Sequence, residues 1–258
     1  MDLIKYNQKA WDLEVSKKNE WTQPVSPEKI AQARNGDWDV VLTPLKTVPK
    51  DWFPSPLTGK KILGLASAGG QQGPIFSAAG ADVTIFDNSP AQLDQDRFVA
   101  SRENLKIELV QGDMSDLSCF SDESFDLIFH PCSNCFVPDV KPVWKECHRV
   151  LKKNGVLLAG FTNPVAFTID PEVEEKGVLQ MKYKIPYSDL TSLNDEERSR
   201  YTDKGEPLVF GHTLQDQIGG QLEAGFMLAG LYEDSWTKDK GLIYEYIDCF
   251  MATKAVKK

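Results

Sequence analysis

Residues 61–73 read KILGLASAGGQQG. The apolar run Ile62–Leu65 breaks into small and polar residues. That pattern predicts a buried strand ending in a tight turn, followed by a short helix over 71–79 that Gly80 ends. Such turns often read Gly-x-Gly, because the backbone must visit positive φ and approach a ligand closely. Here Ala66 and Ala68 stand where those glycines would be, and Gly69-Gly70 follow. An alanine at φ > 0 costs roughly 1 kcal/mol or more. Gly69-Gly70 are expected to supply the freedom that the turn needs.

Outward from this stretch, strands alternate with helices. DVTIFD (82–87) is a second strand. Ser89-Pro90-Ala91-Gln92 reads as a capping box with Pro at the first helical position, opening a helix through about Glu103. IELVQGD (107–113), FDLIFH (125–130) and VLLAGF (156–161) are three more strands. PDVKPVWKECHRVLKKNG (138–155) is a helix with an apolar stripe of Val140, Val143, Trp144, Cys147, Val150 and Leu151. This alternation predicts βαβ units and a parallel sheet, with ligands at the carboxyl ends of the strands.

The flanks differ. Residues 1–58 read as a cap of helix and loop, with an amphipathic helix over 3–15 and a small helix opened by Ser26-Pro27. The rest, 59–258, forms the main domain, interrupted at about 163–211 by a polar insertion or lid. The insertion holds a strand-like piece, GVLQMKYKIPY, and the aromatics Phe167, Tyr183, Tyr187 and Tyr201. HTLQDQIGGQLEAGF then predicts a helix. MLAGLYED and YEYIDCFMATKAV predict two closing strands, the last antiparallel.

The bulk composition excludes several classes. Of 258 residues, 41% are apolar and 26% charged, which suits a soluble globular chain. A net charge of −9 repels phosphate backbones, so nucleic acid is not the expected partner. No apolar stretch approaches the ~20 residues of a membrane span. The N-terminus lacks the pattern of a secretory signal, and five cysteines suit reduced thiols, so a cytoplasmic location is expected.

The strand ends carry the chemistry. Asp87 closes the second strand about 20 residues beyond the first turn, where a carboxylate can accept from two ribose hydroxyls. The third strand ends Gly112-Asp113-Met114, where an acid can accept from an exocyclic amine and a thioether can pack on a flat ring. Together with DNSPAQL, SFDLIFH and WKECHRVLKKNGVLLAGF, these features resemble the class I S-adenosylmethionine-dependent methyltransferases over about residues 60–162. The resemblance implies a Rossmann-like three-layer αβα sandwich on a mostly parallel seven-stranded sheet with an antiparallel last strand. It also implies S-adenosylmethionine held by Leu65, Ala66, Ser67, Gly70, Gln71, Asp87, Asn88, Gly112, Asp113, Met114 and His130. In that family the first turn wraps the methionine end, the acid after strand two holds the ribose, and the acid after strand three holds the adenine amine.

The first turn departs from the family pattern, with Gly64 where an acid is usual. Backbone carbonyls of 65–67, or Gln71, are expected to replace that acid. Two rivals follow. Lost contacts at the methionine end suit a cofactor-binding protein without turnover. Ala68-x-Gly70-x-x-Gly73 is also one residue from a dinucleotide fingerprint, which suits a nicotinamide-dependent oxidoreductase. That second rival needs a later helix start and gives Gly112-Asp113-Met114 no role.

The resemblance fixes the donor and not the acceptor, which is expected to be a small molecule. The strand-four exit, HPCSNCF (130–136), faces the transferred methyl by topology. His130 is a candidate base or cofactor contact, against the alternative of a hydrogen-bonded structural histidine. Asn134 is a candidate acceptor contact, and His212 a candidate base. Cys132 and Cys135 have metal-ligand spacing, but no second Cys-x-x-Cys supports it, and no metal is expected. Trp11 and Trp21 are expected to cover the cofactor.

Overall fold

A computed structural model describes residues 2–258; Met1, the first residue of the expected cap, lies outside them. Five strands follow in the order the sequence predicts: β1 (Lys61–Leu65), β2 (Asp82–Asp87), β3 (Ile107–Gln111), β4 (Phe125–His130) and β5 (Leu151–Thr162). A two-residue ribbon, β6 (Tyr187–Ser188) with β7 (Phe210–Gly211), stands apart. β8 (Phe226–Asp234) and β9 (Phe250–Lys257) complete a seven-stranded sheet ordered β3-β2-β1-β4-β5-β9-β8. β1 to β5 pair in parallel, and β9 runs antiparallel to both β5 and β8. The expected antiparallel last strand is therefore present, wedged one place in from the sheet edge.

Side chains alternate along each strand, so the sheet buries both faces. Ile62, Val83, Ile85, Leu127, Phe129 and Leu158 point to one face. There they meet α2 (Pro27–Arg34), α3 (Gln72–Ala78) and α4 (Pro90–Glu103) through Ile30, Phe76 and Val99. Leu63, Leu65, Phe86, Ile128 and Leu157 point to the other, against Val143, Trp144, Cys147 and Val150 of α5 (Lys141–Val150). The result is the expected Rossmann-like three-layer sandwich.

Several boundaries differ from expectation. α5 ends at Val150, five residues early, because Leu151 leaves the helix to pair with Phe125 and is fully buried there. β3 stops at Gln111, which puts Gly112, Asp113 and Met114 in the following turn. Of the strand-like piece 177–187, Tyr187 alone falls in a strand, paired with Gly211, and Met181 makes an isolated bridge to Ile169; Val178 and Met181 face solvent and have no sheet to cover. The last strand begins at Phe250, because residues 242–245 form a 3₁₀ turn.

The N-terminal helix α1 (Leu3–Ser16) is stitched to the sandwich. Asp12 accepts from Ser89 Oγ at 2.6 Å and Ala91 N at 3.1 Å, capping α4 from outside. Asn7 donates to Leu208 O at 3.1 Å and accepts from Leu208 N at 2.9 Å.

Candidate active site

The first turn forms as a tight loop with Ala66 at φ +47°, Gly69 at +113° and Gly70 at +71°. Thus one of the two alanines does occupy the left-handed region, and Gly69-Gly70 take the rest of the bend. Ala66 N donates to Phe86 O at 2.7 Å, and Ala68 N donates to Asp87 Oδ2 at 3.2 Å. α3 then starts at Gln72, so the later helix start needed by the dinucleotide rival is not met.

A cavity of about 610 Å³ opens over the carboxyl ends of β1, β2, β3 and β4. Its size lies in the usual range of small-molecule sites, roughly 300–1,000 Å³. Of the eleven residues expected from sequence, eight line it: Ala66, Ser67, Gln71, Asp87, Asn88, Gly112, Asp113 and Met114. Asp87 accepts from Ser89 N at 3.0 Å as well as from Ala68, and burial raises its pKa to about 6. Asp113 engages one carboxylate oxygen with Ser115, through its amide at 2.8 Å and its hydroxyl. Gly112 admits no side chain, because a Cβ there would strike the Phe86 ring.

Leu65, Gly70 and His130 stand behind the wall rather than on it. Gly70 packs on the Gln95 backbone. His130 is fully buried and donates from Nδ1 to Leu65 O at 2.9 Å, and burial lowers its pKa to about 4. Its Nε2 is buried without a hydrogen-bond partner. His212 is also buried, donating from Nε2 to Asn134 O at 3.1 Å. Asn134 and Gln217 exchange amide hydrogen bonds at 3.0 and 3.1 Å, which ties up the Asn134 side chain. These groups hold the β4 exit loop from below, and Pro131, Cys132 and Ser133 of that loop face the cavity. None of the three histidines lines it. Among the described residues no three His, Cys, Asp or Glu side chains converge as metal ligands.

Gln71 lines the cavity and reaches back to the N-terminal segment. Its Nε2 donates to Glu20 O at 3.1 Å and Gln23 O at 3.2 Å, fastening the N-terminal segment over the turn. Asp2, Leu3, Ile4, Asn7, Trp11 and Trp21 of that segment line the cavity, with Trp236 and Phe250 from the other end of the chain. Residues 163–211 contribute nothing to it. Phe167, Tyr183, Tyr187 and Tyr201 instead line a second cavity of about 720 Å³, which shares Trp11 and Phe136 with the first.

Sequence reasoning missed Val41–Pro44, Gln92, Trp236 and Phe250, all on the cavity wall. Gln92 had a signal, as the third helical residue after Ser89. The capping-box reading assigned its side chain to the Ser89 amide, but that amide donates to Asp87. Ser67 Oγ and Gln92 Oε1 are buried without a hydrogen-bond partner, on two residues that line the cavity. Buried polar groups of this kind call for a ligand or water.

A family model described as a methyltransferase domain matches residues 63–159. Over 255 residues the chain is 52% identical to the uncharacterized methyltransferase YbaJ of Bacillus subtilis, covering 99% of this chain and 98% of that one. The chain belongs to the class I S-adenosylmethionine-dependent methyltransferase family. As such an enzyme it uses S-adenosylmethionine, and the wall of small residues, Asp87, Asp113 and unpartnered polar atoms fits that cofactor. A solved S-adenosylmethionine-dependent methyltransferase of Mesorhizobium loti shares the fold, at 16% identity with TM-score 0.61 over 81% of this chain and 95% of that one. Sterol 24-C-methyltransferase erg6 of Aspergillus fumigatus is 34% identical over 101 residues, 38% of this chain and 26% of that one.

Proposed function

We propose that this methyltransferase acts on a small-molecule acceptor, enclosed with the cofactor in the 610 Å³ cavity. The observation that carries the reading is the make-up of the wall beyond the cofactor residues. Val41, Leu42, Pro44, Pro131, Phe136, Val137, Trp236 and Phe250 are apolar, and the N-terminal segment covers the opening. Such a wall suits a compact, largely apolar metabolite. An acidic surface and a covered site give a nucleic acid no purchase. No helix among the described residues is long and apolar enough to cross a membrane, and the expected cytoplasmic location remains part of this proposal.

In this reading Asp87 accepts from the ribose hydroxyls, Asp113 accepts from the adenine amine, and Met114 lies along the ring. Ala66, Ser67 and Ala68 present backbone at the methionine end. When bound, S-adenosylmethionine would supply a methyl on a sulfonium, its carbon–sulfur bond breaking as the acceptor takes the methyl and S-adenosylhomocysteine leaves. The protein's share is alignment, worth ~7–11 kcal/mol when the geometry is right. Trp11, Trp21 and Phe136 place aromatic faces beside the site, where a sulfonium gains cation–π attraction of ~0.5–2 kcal/mol.

The test is to incubate the protein with S-adenosylmethionine and a panel of apolar metabolites and to follow S-adenosylhomocysteine. Turnover that Asp87→Ala abolishes supports the reading. Turnover only with peptides or nucleic acid overturns it.

A further inference from the structure

The acid that class I enzymes usually carry on β1 has no room in this chain. A Cβ on Gly64 would lie 2.5 Å from Ile85 Cδ1 and closer still to Ser67 Oγ. Both groups have moved into the space that such a side chain would fill. On the other side of the turn stands a carboxylate that sequence reading passed over. Asp96, on α4 one turn after Gln92, is 0% exposed. Its Oδ2 accepts from Gly69 N at 2.9 Å and Gly70 N at 3.0 Å. With both glycines at positive φ, their successive N–H groups form a nest around this one oxygen. Oδ1 is buried without a partner, 3.3 Å from where a Cβ on Gly73 would lie. Among the described residues no cation pairs with Asp96, and burial raises its pKa to about 7. A buried carboxylate left this incomplete favours a positive charge brought to the far face of the same turn. That face is the cavity wall of Ala66, Ser67 and Ala68.

We propose that Asp96 replaces the missing β1 acid: it fixes the Gly69-Gly70 turn and, acting through it, holds the ammonium of the cofactor's methionine end. Asp96 is thus a positioning residue. The inference rests on the reading that the methionine end lies at the first turn.

The experiment is calorimetry with two ligands on the wild type and Asp96→Asn. S-adenosylhomocysteine carries the ammonium; 5′-methylthioadenosine has the same nucleoside thioether without the amino-acid end. Asp96→Asn is expected to weaken S-adenosylhomocysteine about tenfold or more while 5′-methylthioadenosine stays within about twofold. Equal weakening of both ligands, or of neither, overturns the proposal. The wild type provides a check that needs no folded variant. The deaminated analogue of S-adenosylhomocysteine is expected to bind about tenfold or more weaker than the parent, and equal affinity overturns the proposal. Binding of neither adenosyl ligand by the wild type overturns the cavity reading itself.

Discussion

Trp21, from the segment before the first strand, packs against Trp236, which follows β8, with ring centroids 5.6 Å apart. The two residues close the cavity from opposite ends of the chain, and both line it. Removing residues 1–22 takes away Trp11, Trp21 and the Asp12 cap on α4 together. The expected result is a loss of S-adenosylhomocysteine affinity of about tenfold or more, worth ~1.4 kcal/mol. Trp21→Ala is expected to give a smaller loss in the same direction. Calorimetry on both variants checks this, and unchanged affinity in the truncated chain removes the cap from the account.

The first turn mixes one strained alanine with two required glycines. Ala66→Gly relieves the positive φ, and its net gain, after the added freedom of the unfolded chain, is expected to reach at most ~1 kcal/mol. Gly70→Ala does the reverse. It puts a Cβ 2.8 Å from Gln95 O at φ +71°, so a loss of ~1–3 kcal/mol is expected, with weaker cofactor binding. Urea denaturation of the pair separates the two signs.

His130 gives a pH dependence. Its folded-state pKa, about 4, lies below the ordinary 6.5, so the unfolded chain binds more protons between these values. The stability that His130 contributes is present above pH 6.5 and is lost as pH falls toward 4. Asp87 and Asp96, raised to about 6 and about 7, act in the opposite sense and favour the folded state at low pH. The effect is therefore read as a difference between proteins. The gap in stability between wild type and His130→Gln is expected to shrink from pH 7 to pH 4 by up to roughly 3 kcal/mol. A gap independent of pH contradicts the assignment.

Much of this was legible in the sequence because the relevant signals are local. An apolar run ending in small residues marks β1 and its turn; Asp87 follows as the end of β2 and Asp113 in the turn after β3. What stayed hidden depends on distance in the chain. Val41–Pro44 and Trp236 reach the cavity only through tertiary packing, and no periodicity marks them. Asp96 sits in a helix whose sequence reads as polar, and only the fold shows that its carboxylate turns inward to Gly69 and Gly70. The Leu151 boundary was missed because the pull of β4 on that residue exceeds its helical pattern. His130 was placed correctly at the end of β4, but its full burial shows only in the fold.

The central claim is that the altered first turn, with Gly64 for an acid and Ala66 and Ala68 for glycines, still builds a cofactor site together with Asp87. The most direct measurement is calorimetric titration of S-adenosylhomocysteine into the wild type and into Asp87→Ala. Saturable binding at one site per chain in the wild type, weakened about a hundredfold in Asp87→Ala, is the predicted result. Absence of binding by the wild type, or full affinity in Asp87→Ala, would contradict the account.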